Sequence, residues 1–168
     1  MDEEWAVIPE FPLYSISTHG RVANNGTGRI LSTNPNNFGH IQVKLYPAQG
    51  SARNRSVALL VAQAFIEPPD PLCDNVILLD GNLQNVHVDN LALRPRWFAW
   101  KYARQLHVEH HKPYHAMPIY CEDTDRTYPS TIACGMEHGL LFREIWNAAW
   151  RGGYPGVYPF RWRFRLVD

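Results

Sequence analysis

Residues 56–94, SVALLVAQAFIEPPDPLCDNVILLDGNLQNVHVDNLALR, constrain the fold more than any other stretch of this chain. Val57, Leu60, Val61, Ala64 and Phe65 recur at helical spacing, so residues 56–66 predict a helix with one apolar face. Pro68, Pro69 and Pro71 then end it, because proline has no N–H to donate and its ring clashes with the preceding turn. Val76 to Leu79 is a short apolar run that predicts a strand. Asp80, Gly81 and Asn82 predict a turn, since an Asx side chain bonds nearby backbone and glycine supplies φ > 0.

The residues before this stretch read as short strands. Tyr14 to Ser17 alternates, His19-Gly20 makes a turn, Val22-Ala23 returns, and Asn24-Asn25-Gly26 turns again. Trp5, Tyr14 and Ile16 are expected to form a small core rather than a binding surface. Residues 38–46 alternate cleanly, with Ile41, Val43 and Leu45 on one face and His40, Gln42 and Lys44 on the other. A polar turn is expected from Gly50 to Arg55.

Three of these segments together resemble the HNH homing endonucleases, the small nucleases of phages and introns. Their core shows V-H-R-L-V-A-x-A-F, then N-H-x-D-G-N-x-x-N-N, then N-L-x-W. Val57, Leu60, Val61, Ala62, Ala64 and Phe65 match the first element. Asp80, Gly81, Asn82 and Asn85 match the second, and Asn90-Leu91 the third. Residues 4–31 resemble the N-terminal module that accompanies such nucleases, through Trp5, Ile8, Tyr14, Ile16, Ser17, Gly20, Arg21, Val22 and Leu31. The resemblance implies a ββα core, with Val76–Leu79 as the first arm of its hairpin. The turn and second arm are expected at Asp80–Asn85, and a closing helix from Asp89-Asn90-Leu91, capped by Asp89 or Asn90.

The same resemblance marks a loss. Ala58 stands where the first His belongs, and Ile77-Leu78 where the metal-ligand and general-base pair belongs. One-metal phosphodiester hydrolysis needs an activated water and a cation on the phosphate. Magnesium takes oxygen ligands, and neither Ile77 nor Leu78 offers one. Losing positioned acid–base chemistry alone slows such a reaction about 10²–10⁴-fold. Asn90 is the remnant of the inferred trio; Asp74, Asp80, His87 and Asp89 are the nearest candidate replacements. No catalytic residue and no cofactor is therefore expected, with Mg²⁺ needed only by a residual nuclease. The apolar residues Ala58, Leu59, Ile77, Leu78 and Leu79 imply that the old active-site face is packed within the chain or covered by a partner.

Residues 118–166 resemble the C-terminal repeat of intron-encoded nucleases: Pro118-Ile119-Tyr120, Tyr128, Ser130, Ala133, Gly139-Leu140, Ile145, Gly152-Gly153 and Phe160-Arg161-Trp162 fit a strand, two helices and a closing strand. Ser130 caps the first helix, His138-Gly139 breaks it, and Leu141 to Trp150 becomes the recognition helix of a helix-turn-helix. Arg143, Asn147 and Arg151 recur every four residues, a spacing that serves groove contact and a solvated face equally. Arg161, Arg163 and Arg165 offer a local basic strip. Between the modules, Trp97, Trp100 and Leu106 predict a helix after Pro95. His107, His110, His111 and His115 are read as a solvated or partner-facing cluster rather than a metal site, because no H-E-x-x-H arrangement is present.

The resulting expectation is an α+β fold of small modules around a degenerate ββα core. The modules are an N-terminal β module at 1–50, the HNH-like core at 51–96, a connector at 97–117 and a helix-turn-helix-like module at 118–168. Sixteen basic and sixteen acidic residues cancel, which counts against a strong nucleic-acid field. Residues 1–100 carry seven basic and nine acidic groups, and residues 101–168 nine and seven. Three widely spaced cysteines give no CxxC pair and fit a reducing compartment. The opening MDEEWAVIPEF lacks a secretion-signal pattern, and no apolar run approaches a membrane span, so no membrane partner is expected.

The primary functional expectation is a phage or mobile-element protein that has lost cleavage and binds double-stranded DNA through Arg143, Asn147, Arg151, Arg161 and Arg163, in the bacterial cytoplasm. Two others stay open. One is a virion or protein-interaction component that reuses the scaffold, docking a partner or a second copy on the apolar face; the six tryptophans support it. The other is a residual HNH endonuclease with rearranged ligands.

Overall fold

A computed structural model describes residues 2–106, 117–152 and 163–167. They form two compact units, residues 1–95 and 96–168. Helices and strands are mixed in both, which makes the fold α+β.

The first unit opens with a meander of β1 (Trp5–Ile8), β2 (Phe11–Ser17) and β3 (Val22–Asn24), all antiparallel. A second antiparallel sheet follows, in the order β4 (Asn34–Pro35), β5 (Ile41–Leu45), β6 (Arg53–Ser56). The alternation in β5 places Val43 and Leu45 inside and Lys44 outside, as the sequence predicts. Part of the expected 50–55 turn is instead strand: Arg53 pairs with Leu45 and Arg55 with Val43. An edge strand has only its backbone to pair, so polar Arg and Asn side chains fit it, and their polarity masks it in the sequence.

Helix α1 (Val57–Phe65) begins at Ser56, whose hydroxyl accepts from the Leu59 N–H, an N-cap. Its buried side, including Val57, Leu60 and Val61, meets β1, β2 and β5. Strand β7 (Asn75–Leu78) then pairs with β8 (Leu91–Arg94), with Leu78 opposite Leu91. This corrects the expected second arm. Residues 80–85 are turn, and 89–91 start no helix: Val88–Asn90 is one 3-10 turn capped by His87, and the chain runs directly into β8. Leu91 and Leu93 face inward while Ala92 and Arg94 do so less, a period of two that only a strand satisfies.

The segments expected as two modules share one core. Phe11, Ile16, Val22, Val43, Leu78 and Leu93 are buried in the same cluster. Trp5 stays outside it, 41% exposed, with the Arg21 guanidinium 5.7 Å from its ring centre; only Tyr14 and Ile16 of the expected trio are core.

The second unit starts with α2 (Arg96–Gln105), the helix predicted after Pro95. A sheet of order β10 (Arg126–Tyr128), β9 (Ile119–Cys121), β11 (Phe164–Leu166) carries α3 (Thr131–His138) and α4 (Phe142–Arg151). Ser130 caps α3 by accepting from the Ala133 N–H at 3.0 Å. Gly139 ends it in the left-handed region at φ 67°. A side chain there would meet the Phe98 ring at 2.3 Å, so glycine is also what lets α2 approach. The core is built from Ile119, Leu140, Ile145 and Phe164, with Cys121 and Cys134. All three cysteines are buried thiols. No helix among the described residues is long and apolar enough to cross a membrane.

Candidate functional site

Two places follow from the sequence: the hairpin that carries the positions matched to a nuclease centre, and the exposed side of α4. At the hairpin, β7 brings Ile77 and Leu78 to its end, α1 supplies Ala58 in its first turn, and the 3-10 turn supplies Asn90. Ala58, Ile77 and Leu78 are each about 5% exposed. Ala58 and Leu78 belong to the shared core, so the chain's own packing closes what a nuclease keeps open. Of the two expectations for this face, packing within the chain is what Ala58, Ile77 and Leu78 show; Leu79 is 48% exposed and Leu59 half-buried.

Asn90 is the surviving ligand type, and its amide is engaged. Its Oδ1 accepts the Asp80 N–H at 2.9 Å. Its Nδ2 donates to Asp80 Oδ1 at 2.8 Å and to the Asn85 carbonyl at 2.7 Å. Its backbone carbonyl also accepts the Leu79 N–H. Asn90 thus bridges the turn from Asp80 to Asn85.

Asp80 organises the same loop. Its carboxylate also accepts from the Asn82 N–H at 2.8 Å and from Asn85 Nδ2 at 2.7 Å. These donors, Asn85 first, hold the carboxyl below its ordinary range. Gly81 follows at φ 73°, the conformation the Asp-Gly-Asn turn requires.

The other candidate replacements are also occupied or dispersed. His87 Nδ1 accepts the Asp89 N–H at 3.3 Å, and its ring lies 4.8 Å from that of His19. Asp74 is exposed and bonded to the neighbouring Asn75 amide. Among the described residues no three His, Cys, Asp or Glu groups converge as a metal site. Of the three inferred positions, Ile77 and Leu78 offer a divalent cation no oxygen donor, and Asn90 Oδ1 already accepts one hydrogen bond; the nearest carboxylate is Asp80, which the turn engages.

Helix α4 presents a different chemistry. Ile145 and Ala148 are buried, whereas Arg143, Asn147, Trp150 and Arg151 are exposed. The one acid of the helix, Glu144, points elsewhere. Its Oε2 accepts the Leu141 N–H at 2.7 Å at the helix start. Both its oxygens accept from Lys101 Nζ, at 2.9 and 2.8 Å, and Lys101 is itself buried. Removing that acid from the exposed side leaves Arg143 and Arg151 as its net charge.

Gln105 fixes the link before α4. It is buried, donates to the Leu140 carbonyl at 2.7 Å and accepts the Phe142 N–H at 2.9 Å. Lys101, Gln105 and Glu144 were invisible as a site in the sequence. Lys101 and Gln105 share α2, but their partners Glu144 and Phe142 lie 43 and 37 residues further on, and no local spacing links the two segments.

The expected basic strip is only partly described. Arg163 is exposed, and its backbone N–H donates to Asp123 at 2.6 Å. Arg165 pairs with Glu122 at 2.8 Å, which offsets its charge. Arg161 and the four histidines His107, His110, His111 and His115 lie outside the described residues.

Residues 3–46 match the NUMOD4 motif. An uncharacterised HNH endonuclease, L247 of Acanthamoeba polyphaga mimivirus, is 32% identical over 97 residues, 56% of this chain and 23% of the relative. The chain thus spans about a quarter of the length of that relative. A solved structure of the HNH homing endonuclease I-HmuI, described as binding and cleaving DNA, superposes with a TM-score of 0.53 at 22% identity, covering 98% of each chain. The resemblance to HNH homing endonucleases holds in motif, in sequence and in fold.

Proposed function

We propose that this relative of the HNH homing endonucleases has lost cleavage and works as a DNA-binding protein, with α4 as its contact helix. The observation that carries the loss is the state of Asn90: the last ligand type of the trio is spent on the Asp80–Asn85 turn, beside a buried Leu78 where the general base belongs. At the position of the general base Leu78 offers no proton acceptor, and at the position of the ligand beside it Ile77 offers a cation no oxygen.

Support for binding comes from the second unit. α3 and α4 are joined by Gly139, Leu140 and Leu141, the short link of a helix-turn-helix. Arg143, Asn147 and Arg151 are the residue types that reach base edges and phosphates, and Lys101 holds the only acid of α4 away from them. Neutral overall charge implies modest affinity with a shallow salt dependence, set by a few phosphate contacts.

Titrating a labelled duplex with the full chain at several salt concentrations tests this. Arg143→Ala and Arg151→Ala are each expected to lower affinity and to flatten the salt slope by about one. Binding that is absent at low salt, or indifferent to both substitutions, overturns the assignment. A role as a virion or protein-interaction component loses its main physical support, because Ala58 and Leu78 are covered by the chain's own core.

A further inference from the structure

We propose that Trp150, backed by Trp146, is a stacking platform for an unpaired DNA base, so that α4 favours DNA carrying unpaired nucleotides over an intact duplex. The inference rests on the DNA-binding reading and specifies its substrate. Trp150 is 69% exposed, on a helix whose other exposed residues are polar or charged. Its ring lies 5.9 Å from that of Trp146, at 15° between planes. A residue at this exposure ordinarily samples several rotamers. Stacking on a neighbour fixes the plane of the indole before any ligand arrives and reduces the ordering cost of binding.

The helix period places this pair beside the basic residues. At 3.6 residues per turn, positions 143, 146, 147, 150 and 151 fall within about 140° of the helix circumference. One side of α4 therefore carries two cations, an amide and a flat double aromatic. The cations suit phosphates and the amide suits a base edge. The indole suits neither, because it offers one N–H donor and a broad π-face. Its match is the face of a base, which pairing and stacking hide in a duplex and expose in a single strand, bulge or junction. A thymine methyl in a groove needs only a small apolar contact, not a fixed plane. Trp and Arg also suit a protein partner, and the titrations below separate the two, because a protein-docking side binds none of the three DNAs.

The test uses the full chain and three fluorescent oligonucleotides of one sequence: single strand, perfect duplex, and duplex with a three-nucleotide bulge. The single strand and the bulged duplex are expected to bind more tightly than the perfect duplex. Trp150→Leu is expected to lose about tenfold on those two and less than twofold on the duplex, with Trp150→Phe retaining most of the affinity. Trp150 is exposed, so both variants keep the fold, which circular dichroism verifies. Equal or tighter binding to the perfect duplex, or a uniform loss across all three DNAs in Trp150→Leu, overturns the inference. If the duplex still binds and Arg143→Ala still weakens it, the DNA-binding reading survives that failure. If no DNA binds, both fall.

Discussion

Replacing Asn90 by Ala separates a structural amide from a metal ligand. Two bonds are neutral and lie at a residue only 9% exposed: Asp80 N–H to Asn90 Oδ1, and Asn90 Nδ2 to the Asn85 carbonyl. Bonds of this kind contribute about 0.5–1.5 kcal/mol each, so their joint loss amounts to about 1–3 kcal/mol. The third bond, to the solvent-exposed Asp80 carboxylate, is left out of that sum. Asn90→Asp should fare no better, since it sets a second carboxylate against Asp80. Urea unfolding in EDTA is the assay, because chelation removes any contribution from a bound cation. An unfolding free energy lowered by about 1–3 kcal/mol, equal with and without Mg²⁺, is the expected result. Unchanged stability in EDTA, with a Mg²⁺-dependent stabilisation of the wild type that Asn90→Ala abolishes, would refute the argument.

Leu78→Asp places a carboxylate in the shared core and should destabilise the first unit by about 3–5 kcal/mol in thermal or urea unfolding; an unchanged melting temperature would show an open face. His138 is held below its ordinary 6.5 by burial, so its folded form binds protons less readily than its unfolded form. Stability from this group is full above pH 6.5 and falls as the pH drops below that, and His138→Phe should flatten this part of a pH–stability curve. Asp80 titrates in the same sense at lower pH: its depressed carboxyl contributes stability above about pH 4 that is lost on further acidification, and Asp80→Asn should remove that acid limb. Lys101→Met should weaken duplex binding without touching the exposed side of α4, because it returns an uncompensated Glu144 to the helix; unchanged affinity would show that the pair is only structural.

Much of the fold was legible where a period or a cap acts locally. The spacing of Val57, Leu60 and Val61 and the prolines behind them located α1; alternation located β5; Ser130 and Gly139 bounded α3. The hairpin was misread in its second arm because Asp80 to Asn90 is dense in turn residues, which say where a chain bends and not where it resumes pairing. Leu91 and Leu93 carry the strand signal, but four residues are a short sample of a period of two. Strand β6 was hidden by its polar side chains, since an edge is held by backbone bonds that leave no mark on composition. At the degenerate centre, the replaced residues were visible and their burial was anticipated, whereas the engagement of Asn90 depends on contacts across a loop. On α4 the cationic residues were readable from spacing. The Lys101–Glu144 pair that clears the acid from their side depends on how α2 packs, which no local pattern encodes.

Incubating the full chain with labelled supercoiled plasmid in Mg²⁺ or Mn²⁺, and running parallel samples with and without protein removal before electrophoresis, tests the central claim most directly. A retarded complex that releases uncut plasmid is the predicted result. Nicked or linear product that requires the metal ion and disappears in Asn90→Ala would contradict it, and would show that the chain still cleaves DNA.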